Sequence, residues 1–102
     1  MSASLPFGVQ QRLVERSLRR NAANLREVRD ELRILDEQLA YVESDLADKE
    51  LRAMVSETPA AAYEHRDALG HVEVMRTERA RLVARLADLE REQDAALDRL
   101  GS

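Results

Sequence analysis

Few side chains in this 102-residue sequence are suited to chemistry. It has two histidines, His65 and His71, and no cysteine. Six residues apart, the histidines fall on different faces of a helix and cannot meet at one metal ion. Asp67 and His71 are four apart and share a face, but they supply two ligands where zinc takes three or four. Carboxylates recur at the same spacing in Glu90/Asp94 and Asp94/Asp98. A di-metal bundle would need inward-facing Glu and a Glu-x-x-His motif, and the sequence has no such motif. It also has no Gly-rich phosphate loop and no dinucleotide fingerprint. The expectation is a non-enzymatic protein with no catalytic, cofactor-binding or metal-ligating residue, and no cofactor.

Arg12, Arg16, Arg19, Arg20, Arg26 and Arg33 form a basic strip that could meet phosphate or an acidic protein. Net charge is −4, and three aromatics give no interleaving for base stacking. Nucleic acid is therefore the weakest of the partners expected. Charge is uneven along the chain. Residues 1–33 carry seven Arg against four acids (+3), 34–64 carry Lys49 and Arg52 against eight acids (−6), and 65–102 carry seven Arg against eight acids (−1).

The elements that position these residues follow from composition. Charged residues make up 35% and aromatics 3% of the chain, with Leu, Ala, Arg and Glu dominant. That bias fits long helices and leaves too little bulk for a compact core, so burial must run along a seam. Between Val9 and Val55 there is neither Pro nor Gly, and a heptad pattern runs throughout. Leu18, Leu25, Leu32, Leu39, Leu46 and Ala53 take a; Val14, Asn21, Val28, Leu35, Val42 and Lys49 take d. Ten of these twelve are apolar. A second run from Pro59 to Leu100 (Ala61, His65, Ala68, Val72, Met75, Arg79, Leu82, Leu86, Leu89, Gln93, Ala96, Leu100) has nine of twelve apolar.

Ser56-Glu57-Thr58-Pro59 separates the two runs. Thr58-Pro59 reads as N-cap and first residue of a helix, and the residue before a proline is pushed out of helical geometry. We expect a flexible N-terminus at 1–8, helix 1 at 9–55, a bend at 56–58 and helix 2 at 59–100, one domain over 9–100. Ser4 and Pro6 read as the start signal of helix 1, and Gly101 as the stop of helix 2.

Folding back at Glu57 opposes Leu18 to Ala96, Leu25 to Leu89, Val28 to Leu86, Leu32 to Leu82, Leu39 to Met75 and Val42 to Val72. Every pair joins a to d, as antiparallel packing requires. The polar interruptions coincide too: Asn21 faces Gln93 and Lys49 faces His65, a register device. Only Leu35 meets a charge, Arg79, whose guanidinium can reach the rim. Flanking pairs are expected between Glu31 and Arg85, Arg52 and Glu64, Asp45 and His71, and Asp36 and Arg76. The fold class is all-α, an antiparallel coiled-coil hairpin that can dimerise into a four-helix bundle; two chains could also open out and share the same seam.

Outer apolar residues remain: Ile34, Tyr41 and Val74 on one rim, Leu69, Val83 and Leu97 on the other, and Leu5, Phe7 and Val9 near the start. A thin hairpin with spare apolar rims points to assembly with a protein partner, as a homodimer or with a partner helix. An alternative uses the bend (Met54, Val55, Glu57) and its acids Glu43, Asp45, Asp48, Glu50 and Glu64 to dock a large machine such as RNA polymerase or a secretion apparatus.

In outline the chain resembles coiled-coil hairpins that insert an acidic tip into RNA polymerase; those carry a second domain and closely placed tip acids, whereas this bend holds only Glu57. Tyr63-Glu64-His65-Arg66-Asp67 is similar in spacing to the signal of type VII secretion hairpins, but it opens helix 2 here, and the Trp of that family is missing. Hairpin chaperones of flagellar export are similar in architecture alone. Neither a signal peptide nor a membrane span is expected, so the protein is expected in the cytoplasm, without membrane contact. Fifteen Arg to one Lys suggests a GC-rich, bacterial genome.

Overall fold

A computed structural model describes residues 6–101. The protein is all-α: two long helices, α1 (Phe7–Ser56) and α2 (Pro59–Gly101), pack against each other as a helical hairpin, with no strand among the described residues. The chain divides into two compact units. A base unit takes Met1–Asp30 and Ala84–Ser102, and a bend unit takes Glu31–Val83.

Helix α1 starts two residues earlier than the sequence suggests. The Pro6 carbonyl accepts hydrogen bonds from the Val9 and Gln10 N–H groups at 3.0 Å each. Pro6 thus stands just before the first turn, where a missing N–H costs nothing. Phe7 and Gly8 are helical and not part of a flexible arm; Ser4 and Leu5 lie outside the described residues. At the far end Ser56, expected in the bend, is the last residue of α1.

The bend itself is two residues. Glu57 adopts φ 51°, the left-handed region, and its N–H bonds the Ala53 carbonyl at 3.2 Å. This left-handed stop is usually glycine's, because a Cβ there crowds the carbonyl. Thr58 then caps α2 as its sequence implies. Its Oγ1 accepts from the Ala61 N–H at 3.1 Å, and its carbonyl accepts from the Ala62 N–H at 3.0 Å. Helix α2 ends at Gly101, which does not adopt positive φ.

In the base unit, buried Leu25 and Val28 of α1 share the core with Leu89 and Ala96 of α2. In the bend unit, Leu35 and Leu39 are buried with Ala61, Ala68, Val72 and Leu82, and Val72 is 0% exposed. All ten are heptad seam positions, so the seam closes within one chain. Burying it is what holds each helix in place, since an isolated helix gains little from propensity alone. Most of the other predicted seam residues are half-buried, and two are exposed. Arg79 turns outward, and Leu100 is partly exposed in the last turn of α2.

Candidate functional site

The polar layer of the base unit is a direct bond. Asn21 is 8% exposed, and its Nδ2 donates to the Leu89 carbonyl at 2.8 Å and to Gln93 Oε1 at 3.2 Å. A buried amide without partners would cost about 1–3 kcal/mol; here no buried side-chain polar atom among the described residues lacks one. The second polar layer is built differently. Lys49 and His65 are both half-buried, but the Lys49 ammonium turns along its own helix to Asp45 at 3.1 Å. Asp45 is therefore engaged by Lys49, one turn away, and not by His71 as the flank pattern suggested. An i,i+4 pair forms without bridging the gap between helices.

Ion pairs between the helices also depart from simple opposition. Arg52 meets Glu64 at 3.4 Å, as expected. Asp36 pairs with Arg79 at 2.6 Å and not with Arg76, which reaches Glu43 at 3.2 Å. Side chains on a helix lean toward its N-terminus. In an antiparallel pair the two partners lean past each other, so contacts form between residues displaced toward both C-termini. The Arg29–Glu90 pair of the base unit, at 3.7 Å, follows the same rule. Arg79 opposes Leu35 on the seam, so its guanidinium leaves for the rim and finds Asp36. The hydrogen bond to Asp36, reinforced by its charge, raises the Arg79 pKa, and Glu78 does the same for Arg81. Both guanidiniums are exposed, so solvent screening leaves these pairs little weight in stability.

The outer apolar residues among the described ones are exposed. In the bend unit Tyr41 is 78% and Val74 71% exposed, with Ile34 and Leu69 also open to solvent. Tyr41 and Val74 flank two adjoining open grooves of about 520 and 640 Å³, which share Gln38, His71 and Met75. Gly70 lines the larger one, and a Cβ at Gly70 would meet nothing within 4 Å. No contact inside the chain requires glycine there, although glycine costs a helix about 1 kcal/mol against alanine. Val83 in the bend unit and Leu97 in the base unit are exposed as well. The base unit holds an open concavity of about 550 Å³, where Phe7, Leu13, Val14 and Leu100 are joined by Gln10, Gln11 and Arg99.

The bend carries more apolar surface than the sequence reading assigned to it. Besides Met54 and Val55, Leu51 and Tyr63 are exposed. Leu51, Met54 and Val55 are three and four apart on α1 and so form one surface patch. The heptad phase could have found Leu51, because it lies opposite the seam.

Among the described residues no group of three or more His, Asp or Glu side chains is placed to hold a metal ion, and no helix is long and apolar enough to cross a membrane. No protein-family model, curated protein or solved structure matches the chain.

Proposed function

We propose that the protein is a non-enzymatic coiled-coil module that assembles with protein, either with itself or with a partner helix, through its outer apolar stripes. The observation that carries this reading is the contrast within one heptad pattern. Ten apolar seam residues are buried, while Ile34, Tyr41, Val74, Leu69, Val83 and Leu97 stay exposed at helical spacing around them. Large apolar side chains lined up on a rim are stabilised when another helix covers them. As part of this reading the module acts in the cytoplasm of a bacterium, in keeping with a cysteine-free, Arg-rich chain. The test is light scattering and pull-down with the double variant Tyr41→Asp/Val74→Asp. Loss of assembly with helicity unchanged supports the reading. Retention of every partner by this variant, and by Leu69→Asp/Val83→Asp, overturns it.

A second reading has the bend dock a larger assembly. It is favoured by one specific feature, a left-handed non-glycine residue, Glu57, next to the exposed Leu51, Met54 and Val55. Backbone strain of this kind is concentrated at functional sites. A Met54→Asp/Val55→Asp variant that loses its partner while the stem variants keep theirs would favour this reading.

A further inference from the structure

The two adjoining grooves beside Tyr41 and Val74 lie wholly within the bend unit, Glu31–Val83. Their apolar lining is Leu35, Tyr41 and Val42 of α1 and Val74 and Met75 of α2. Every Asp, Glu, Lys or Arg side chain that lines them is acidic: Glu37, Glu73 and Glu78. Glu37 is paired with Arg33 and Glu78 with Arg81, but the Glu73 carboxylate has no ion-pair partner among the described residues. Arg76, next to Met75 in sequence, turns to Glu43 and does not line the grooves. We infer that these grooves receive one amphipathic helix of a partner protein, apolar on its docked side and basic on its flanks. The inference rests on the assembly reading above and names the partner's chemistry.

Length, charge and Gly70 each select this occupant. From Gly70 to Glu78 α2 rises about 12 Å, the span over which a helix presents apolar anchors at i, i+3 or i+4, and i+7. The bend unit carries twelve Asp and Glu against seven Lys and Arg, a net −5. A second copy docked by the same face would set −5 against −5, and like charges across an interface are destabilising. Basic flanks meet Glu73 instead. Gly70 lies inside a continuous helix, where glycine is disfavoured, and a Cβ there would meet nothing within the chain at 4 Å or less. A helix laid in the groove gains from this glycine, because the absent Cβ lets a second backbone come close.

Selection of a randomised helical-peptide library, displayed on phage, against the full chain tests this. It is expected to enrich peptides of net positive charge with apolar residues at that spacing. Fluorescence polarisation of the enriched peptide should show binding weakened by about tenfold or more by Tyr41→Asp/Val74→Asp, by Gly70→Leu and by Glu73→Lys, each with helicity unchanged. Met54→Asp/Val55→Asp, away from the grooves, should bind as the parent does. No enrichment, enrichment of acidic or neutral peptides, or an affinity that these three groove variants leave unmoved overturns the inference. A dimer by light scattering that Tyr41→Asp/Val74→Asp dissolves would put a second copy on this face, which overturns the inference and leaves the assembly reading intact.

Discussion

The Asn21 side chain crosses the base unit to bond Gln93 Oε1 at 3.2 Å and the Leu89 carbonyl at 2.8 Å, so the polar interruptions of two separate heptad runs meet as one layer. Such layers trade stability for uniqueness of register. Gln93 is only half-buried and can turn to water if its partner is removed. Asn21→Leu is therefore expected to raise the urea midpoint, by about 1 kcal/mol in unfolding free energy. A lower midpoint would mean that the amide layer is a net stabiliser.

Val72 and Val74 lie two residues apart on α2 with opposite fates, one 0% and the other 71% exposed. Truncating Val72 removes two methyl groups from the seam and leaves a cavity. Val72→Ala should cost about 2 kcal/mol by chemical denaturation. Val74→Ala should stay within about 0.5 kcal/mol in the monomer, as surface changes do.

Glu57 stands where the backbone demands a left-handed residue. Glycine has no Cβ to strain there, although it gives the unfolded chain more freedom. The strain outweighs that freedom, so Glu57→Gly should raise the thermal midpoint, by about 1 kcal/mol in stability. A drop in Tm would show that the Glu57 side chain holds the bend together.

Thr58 supplies the hydroxyl that satisfies the Ala61 N–H. Thr58→Ala should cost about 1 kcal/mol, and Thr58→Ser should retain most of it. Equal losses from both changes would point to the methyl group instead of the cap.

Arg79 occupies a seam position opposite Leu35 but spends its charge on an exposed pair with Asp36. Such pairs contribute about 0–1 kcal/mol, less than an apolar side chain buried on the same site. Arg79→Leu should raise stability, with a midpoint less sensitive to salt than the parent's.

How much of this protein its sequence determines follows from which forces are local or periodic. Two helices, the seam residues, the Thr58 cap and the meeting of Asn21 with Gln93 are all legible. Heptad spacing dictates a buried stripe, proline ends a helix, and two stripes of matching period admit few registers. The outer apolar residues are legible for the same reason, since whatever is apolar and off the seam must face outward. The tertiary structure alone decided the rest. Arg76 passes over Asp36 to reach Glu43, and Lys49 turns to Asp45 instead of crossing to His65, because long side chains choose among rotamers by distances a linear pattern does not contain. The backbone of Glu57 turns left-handed, and Phe7 and Gly8 join α1, because closing a two-residue bend and completing a first turn depend on where hydrogen-bond partners lie in space.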